Sequence, residues 1–170
     1  MENNFLSAFE RIIASQKKIV IIPHRNPDGD ALGGALALKH FLDAKKHEVK
    51  IVSPNDYPSF LKWLPGESEI IKFSKTPNIA REKINNAELI FGLDFNSLSR
   101  IEDLSEIVKK TKAEKIMIDH HESPEFFATL NYSDPSMSST CEMVYNIINL
   151  LDSKLFNKKI ACCLYTGIMT

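Results

Sequence analysis

The sequence has almost no excess of charge and few glycines and prolines, and each shortage excludes a class of protein. Its 170 residues include 21 Lys and Arg against 22 Asp and Glu, a formal net charge of −1. This balance offers no broad basic surface for long nucleic acid or an anionic membrane. With six Gly and eight Pro, the chain is neither collagen-like nor of low complexity. A hydrophobic content of 44% at this length is typical of one globular domain.

Long hydrophobic runs are also missing. The run Ile19–Ile22 is far shorter than the roughly 18 apolar residues of a membrane span. The first 18 residues carry acids and amides where a secretory signal needs a basic start. Their apolar residues recur at the spacing of an amphipathic helix, at Phe5, Phe9, Ile12 and Ile13. We therefore expect a cytoplasmic protein without a membrane segment.

Cysteine is scarce, and the three that occur are not spaced like metal ligands. Cys141, Cys162 and Cys163 lack a CxxC spacing and lie in helical patterns. Neither a disulfide framework nor a thiolate zinc site is indicated. We interpret all three as small buried hydrophobic residues.

Short apolar runs, typical of buried strands, alternate with helical stretches. The predicted strands are Lys18 to Pro23, Glu48 to Ser53, Glu69 to Phe73, Glu88 to Leu93 and Lys115 to Ile118. The spacers Ala31 to Lys45 and Leu98 to Lys110 each place their apolar residues mostly on one face of a helix. Apolar strands separated by helices predict an α/β doubly wound, mainly parallel sheet with helices on both faces. Ligands of such folds bind beyond the carboxyl ends of the strands.

The last third of the chain predicts mostly helix. Residues 131–135 read as a loop or short strand, and a helix is expected from about Ser139, where Glu142 completes a capping box. A final helix near Asn157 to Met169 is apolar almost throughout, and we expect it to be buried if the fold is complete.

Acids and imidazoles follow three of the predicted strands. The first strand leads into His24-Arg25-Asn26-Pro27-Asp28-Gly29-Asp30, the fourth into Asp94, and the fifth into Asp119-His120-His121. One Asp would suffice to cap the helix after residue 30, so His24 and the second Asp need another explanation. Strands of one parallel sheet deliver these groups to the same edge, which favours a ligand site over separate turn residues.

The types of donor limit the ligand. Carboxylates with a minority of imidazoles and no thiolate suit Mn²⁺ or Mg²⁺, with Fe²⁺ and Co²⁺ as alternatives. The donors exceed the needs of one ion, so two divalent ions are predicted. Ions about 3.5–4 Å apart can hold the attacking and leaving oxygens of a phosphoryl displacement.

The sequence resembles the DHH phosphoesterases. The resemblance rests on HRNPDGDALGG at 24–34, Asp94, the triplet Asp119-His120-His121, and Ser138-Ser139-Thr140 before a helix. It is strongest to the branch of oligoribonucleases and 3′-phosphoadenosine-5′-phosphate phosphatases. The resemblance implies that His24 and Asp28 hold one Mn²⁺, that Asp30 and His120 hold the other, and that Asp94 bridges the two.

The same resemblance implies further roles in catalysis. Asp119 would support the metal ligands without binding a metal itself, and His121 would contact the scissile phosphate. Arg25 and Asn26 are weaker candidates for contact with a substrate phosphate. Asp30→Ala is expected to abolish turnover and leave the fold nearly intact. Family members continue past a segment like 167–170 into a further Asp ligand and a second, substrate-binding domain. Residues 1–170 are thus expected to form the DHH domain without those parts.

The expected function is a manganese-dependent, two-metal phosphoesterase acting on short single-stranded oligonucleotides or 3′-phosphorylated nucleotides. The alternatives are a pyrophosphatase-like enzyme or cyclic dinucleotide hydrolase of the same superfamily, and a non-catalytic metal- or nucleotide-binding module. The sequence leaves substrate length, RNA against DNA, and the oligomeric state, including a homo-oligomer, open.

Overall fold

The computed structural model describes residues 3–170, and within that range the chain forms one six-stranded sheet and six α-helices. The strands are β1 (Lys18–Pro23), β2 (Glu48–Ser53), β3 (Ile71–Lys72), β4 (Leu89–Leu93), β5 (Glu114–Asp119) and β6 (Leu130–Ser133). The α-helices are α1 (Asn3–Ile12), α2 (Gly29–Ala44), α3 (Pro77–Asn85), α4 (Ser105–Lys110), α5 (Thr140–Asp152) and α6 (Lys158–Met169). Short 3-10 segments are Ser59–Leu61, Glu67–Glu69, Leu98–Leu104 and Ser153–Leu155.

The sheet is parallel throughout and has the order β3-β2-β1-β4-β5-β6. From β1 the chain adds β2 and β3 on one side of the sheet. It then crosses to the other side of β1 and adds β4, β5 and β6 in turn. The predicted doubly wound α/β fold is thereby confirmed.

The central strands β1 and β4 are buried on both faces of the sheet, which explains why they are apolar without alternation. In β1, Ile19 and Ile21 face a core shared with α1, α2, α5 and α6. Val20 and Ile22 face a smaller core built from α3, α4 and the segment Leu98–Leu104. Successive side chains of a strand point to opposite faces, so a single apolar run supplies both cores.

The predicted amphipathic helix at the start of the chain is confirmed as α1; the expectation for residues 1 and 2 lies outside the described residues. Phe9 is fully buried, and its ring lies 5.6 Å from that of Phe91 in β4. Among residues 3–170, no helix combines the length and apolar character needed to cross a bilayer.

The prediction of one helix from Leu98 to Lys110 is wrong. Residues 98–104 form a 3-10 segment in which Glu102 has a non-helical backbone (φ 42°, ψ −112°), and the α-helix begins only at Ser105. The positive φ of Glu102 interrupts the run of helical residues, so one continuous helix cannot pass through it. Leu98, Ile101 and Leu104 are nevertheless buried against the sheet.

The third strand is shorter than predicted: it is only Ile71–Lys72, because Glu67–Glu69 forms a 3-10 segment before it. The loop or short strand predicted at residues 131–135 is the short edge strand β6. Helix α3 was not predicted from the sequence, and only two of its side chains, Ala80 and Ile84, are buried.

Helix α6 is buried on one face only. Ile160, Cys163, Leu164 and Gly167 are buried, whereas Tyr165, Ile168 and Met169 are exposed. Burial of the whole helix was predicted for a complete fold, and within residues 3–170 one face of it is covered. All three cysteines are free thiols. Cys141 and Cys163 are buried as expected, and Cys162 is only half-buried.

Candidate metal centre

The fold brings the polar residues that follow β1, β4 and β5 to one edge of the sheet. These three strands are neighbours, and the order of the sheet reverses between β1 and β4. His24 directly follows β1, Asp94 directly follows β4, and Asp119 is the last residue of β5. A reversal point of this kind opens a crevice at the carboxyl ends of the strands, because the following connections leave in opposite directions.

A cleft of about 250 Å³ lies at this edge. Five of the residues that line it were predicted metal ligands: His24, Asp28, Asp30, Asp94 and His120. The other lining residues are Arg100, His121, Ser138, Ser139, Gly167, Ile168 and Thr170. The structure therefore brings the predicted ligand set together.

Asp94 occupies the centre of this group. It is 2% exposed, and its two carboxylate oxygens face different histidines. Oδ2 lies 3.5 Å from Nε2 of His24, and Oδ1 lies 3.6 Å from Nε2 of His120. The hydroxyl of Thr140 donates a hydrogen bond of 2.9 Å to Oδ1 and so holds the carboxylate in this orientation.

Two groups of donors share Asp94. In one, ligand atoms of His24, Asp28 and Asp94 lie within 4.8 Å of one another; in the other, those of Asp94, His120 and His121 do. Asp30 adjoins the second group, with Oδ2 at 3.7 Å from Nε2 of His120. A carboxylate common to two donor groups is the arrangement that a bridging ligand requires.

The histidines are oriented by bonds on their far side from the cleft. Nδ1–H of His24 donates to the carbonyl of Arg25 at 2.7 Å, and Nδ1 of His120 lies 3.3 Å from the carbonyl of Met137. A carbonyl only accepts, so these bonds place the proton on Nδ1 and leave Nε2 as the ligand atom. Metal-binding histidines generally have such a partner.

His121 is held differently, by a carboxylate. The fully buried Asp119 accepts the backbone N–H of His121 at 2.9 Å and its Nδ1–H at 2.7 Å. The imidazole is partly exposed, with its other nitrogen free to meet a bound molecule. Asp119 thus positions His121 and does not itself line the cleft.

Asp30 also belongs to the framework of the fold. Its two oxygens accept the backbone N–H groups of Thr140 and Cys141, at 2.8 and 2.7 Å, where α5 begins. These N–H groups have no partner within the helix, and they carry the positive end of its dipole. Asp30 therefore joins the start of α2 to the start of α5 beneath the cleft.

The pKa values of His24, Asp28 and Asp30 are shifted by the surroundings of these groups in the cleft. Burial lowers the pKa of His24, but the carboxylates of Asp28 and Asp94 and the carbonyl of Arg25 outweigh it and raise that pKa to about 10. Contact with His24 is the main cause that lowers the pKa of Asp28 to about 2. Burial, and then repulsion from Asp94, raises the pKa of Asp30. Oxygen and imidazole donors around a shared, buried carboxylate fit divalent ions such as Mn²⁺.

Arg25 and Asn26 are directed away from the cleft. Nε of Arg25 lies 3.0 Å from a carboxylate oxygen of Glu102, and Asn26 exchanges two hydrogen bonds of 2.7 Å with the side chain of Asn55. Neither residue lines the cleft, and their contact with a substrate phosphate stays a prediction.

Two site residues were not assigned a role by the sequence analysis. Thr140 lies in the segment 138–140 that carried the resemblance, but its bond to Asp94 depends on contact between α5 and the end of β4. Arg100 lies in the segment 98–110 that was predicted as a helix between two strands, and no local pattern distinguishes it from other arginines.

Residues 18–168 match the profile of the DHH family, N-terminal domain. The chain is 33% identical over 161 residues, 95% of its length, to the bifunctional oligoribonuclease and PAP phosphatase NrnA of Thermus thermophilus. It is 25% identical over 171 residues, again 95% of its length, to the cyclic-di-AMP phosphodiesterase PdeA of Listeria monocytogenes. The crystal structure of an exopolyphosphatase-related protein from Bacteroides fragilis superposes with a TM-score of 0.97, at 40% identity over 99% of this chain.

The chain spans only part of each of these proteins. It covers 45% of the Thermus protein, 50% of the Bacteroides chain and 26% of the Listeria protein.

Proposed function

The chain belongs to the DHH family, and from this premise we propose that it is the catalytic domain of a manganese-dependent phosphoesterase. Its proposed substrates are short single-stranded oligonucleotides and 3′-phosphorylated nucleotides. The observation that carries the proposal is Asp94, a buried carboxylate shared by two groups of metal-type donors. A module that merely bound one ion would not need the second group.

In this proposal the residues divide between two ions. His24, Asp28 and Asp94 hold the first, and Asp30, Asp94 and His120 hold the second. When bound, divalent ions supply a water of lowered pKa and stabilise the charge that develops on phosphate oxygens.

The Asp119–His121 pair supplies the polar contact to the substrate. Asp119 keeps the proton on Nδ1 of His121 and stabilises the imidazole if it becomes charged. When the imidazole is charged, its Nε2 carries a proton as well and can donate a hydrogen bond to an oxygen of the scissile phosphate. Because Asp119 is fully buried, its carboxylate stays directed at His121 and is not drawn towards solvent.

The choice of substrate rests on the relatives. The Thermus relative is named for oligoribonuclease and PAP phosphatase activity, and it matches the chain at a higher identity than the Listeria phosphodiesterase does. Hydrolysis of a cyclic dinucleotide is the second candidate, supported by the latter match.

The test is a substrate panel with the full protein at limiting Mn²⁺. The substrates are a diadenylate, 3′-phosphoadenosine 5′-phosphate, cyclic di-AMP and pyrophosphate. We expect the first two to be hydrolysed and Asp94→Asn to abolish turnover. Asp152→Asn, which makes the same change at the far end of α5, should retain it. Preference for cyclic di-AMP or pyrophosphate would replace the proposed substrate, and activity retained in Asp94→Asn would refute the two-metal site.

A further inference from the structure

Arg100 is a cation in the cleft with no partner of its own. It is half-buried and lines the cleft together with the predicted ligands. Within residues 3–170, its guanidinium makes no ion pair within 4.0 Å, although the cleft contains three aspartates. Among the described residues that line the cleft, it is the one lysine or arginine.

The backbone around Arg100 is firmly placed. Its neighbours Leu98 and Ile101 are buried in the smaller core, which fixes the 3-10 segment on the sheet. Its carbonyl accepts the backbone N–H of Arg25 at 2.8 Å, so the segment is also tied to the loop after β1. Arg100 therefore extends from a rigid base into the cleft.

Arg25 reinforces this arrangement. Its Nε binds Glu102, two residues after Arg100, at 3.0 Å. Arg25 thus holds the segment that bears Arg100 in two ways. Its backbone N–H binds the carbonyl of Arg100, and its side chain binds Glu102. The side chain of Arg25 is thus paired with Glu102, whereas the guanidinium donors of Arg100 have no partner among residues 3–170.

We propose that Arg100 binds the substrate phosphate at the metal cleft, an inference that rests on the proposed function. Guanidinium groups bind phosphate oxygens through paired N–H donors, with a geometry that a lysine cannot reproduce. In the loaded site the aspartates are committed to metal ions, so they do not compete for Arg100. His24, Asp28, Asp30, Asp94 and His120 would hold the ions, and Arg100 would donate to an oxygen of the phosphate bound beside them.

Binding of adenosine 5′-monophosphate to the Mn²⁺-loaded full protein tests this directly by calorimetry. Arg100→Gln should weaken that binding by about tenfold or more, since hydrogen bonds between charged groups are lost. The affinity of Arg100→Lys should lie between those of the parent protein and Arg100→Gln, because lysine keeps the charge and loses the paired donors. Affinity for Mn²⁺ alone should not change in either variant. For the nucleotide substrates, KM should rise in Arg100→Gln.

Arg11→Gln provides the matched control, because it removes the same charge from an exposed position on α1. If the parent protein binds Mn²⁺ and turns over, and Arg100→Gln has the same nucleotide affinity and KM as Arg11→Gln, the role of Arg100 is refuted. The proposed function would then still stand. Absence of Mn²⁺ binding and of turnover in the parent protein would instead refute the proposed function on which this role rests. Weakened Mn²⁺ binding in Arg100→Gln would also overturn the inference, since it would place Arg100 among the supports of the metal ligands.

Discussion

At the scale of residues, each histidine of the centre has one nitrogen bound to the protein and the other turned to the cleft. Backbone carbonyls hold His24 and His120, whereas a buried carboxylate holds His121. A carbonyl fixes a neutral ligand, and a carboxylate additionally stabilises a charged imidazole. The hydrogen-bond partner of Nδ1 therefore distinguishes the proposed metal ligands, His24 and His120, from His121, the proposed phosphate contact.

Proton release on metal binding follows from the state of His24. With its pKa at about 10, His24 is protonated in the metal-free protein at neutral pH, but it must be neutral to bind a metal. Each Mn²⁺ bound there should displace one proton, so affinity should rise about tenfold per pH unit up to roughly pH 10. Asp28 adds no proton in this range, because its pKa is about 2.

Calorimetric titration in buffers of different ionisation heat measures this release. At pH 7, the parent protein should release about one proton more than His24→Gln does. Equal release by the two proteins would show that His24 is not a ligand.

Asp30 contributes to stability as well as to metal binding. The expectation that Asp30→Ala leaves the fold nearly intact does not fit its two hydrogen bonds to the start of α5. We now expect Asp30→Ala to lower the free energy of unfolding by about 2–3 kcal/mol in the absence of metal. Asp28→Ala, which removes an exposed cap bonded to Ala31 and the contact of that carboxylate with His24, should cost about 1 kcal/mol. Urea unfolding in a chelating buffer compares them, and equal losses would contradict this account.

At the scale of elements, the contact between α2 and α6 depends on a glycine, whose lack of a side chain lets the two helices approach closely. A Cβ at Gly167 would lie 2.8 Å from the carbonyl oxygen of Gly29 and 3.1 Å from Cα of Asp30. Both are backbone atoms that cannot turn aside, unlike the end of a flexible side chain. The close approach of α6 thereby helps to place the start of α2, where Asp28 and Asp30 lie.

Substituting two glycines in this layer should change stability in opposite directions. Gly167→Ala should destabilise the protein by about 1–3 kcal/mol, because α6 must move away from α2. Gly34→Ala should stabilise it by about 0.5–1 kcal/mol, since its Cβ would meet neighbours only at 3.7 Å or more and alanine favours the helix. Thermal unfolding without metal measures both. A loss for Gly34→Ala as large as that for Gly167→Ala would show that helix contact is not the cause.

At the scale of the whole molecule, the centre joins parts of the chain that are far apart in sequence. Its donors come from the end of β1 and the start of α2, the end of β4 and the end of β5, and the start of α5 binds two of the aspartates, Asp30 and Asp94. An ion bound there links these elements in the folded state and has no equivalent site in the unfolded chain. Metal binding should therefore stabilise the whole fold.

Mn²⁺ at about a hundred times its dissociation constant should add about 2.7 kcal/mol, a rise in Tm of about 5–10 °C for a chain of this length. Asp94→Asn should lose most of this rise. Asparagine tolerates the left-handed backbone at this position, where φ is 62°, and so keeps the fold. Differential scanning calorimetry with and without Mn²⁺ provides the measurement, and an equal rise in both proteins would rule out Asp94 as a ligand.

Local residue order was enough to predict the layers of the fold and the set of residues at its edge. Strands such as β1 are apolar because both faces of the sheet are buried, and this pattern is visible without coordinates. Acids and histidines that directly follow parallel strands must meet at one edge, whatever the details of packing. His24, Asp94 and His120 could therefore be placed together from the sequence.

The tertiary structure alone decided which of these groups touch and what supports them. Asp119 bonds to His121, Thr140 orients Asp94, and Arg100 faces the cleft while Arg25 binds Glu102. These choices depend on the approach of α5 to the sheet and on the 3-10 geometry of residues 98–104. The physical reason is that neighbours along the chain are set by local backbone preferences, whereas contacts between elements are set by how their side chains fill a shared interior.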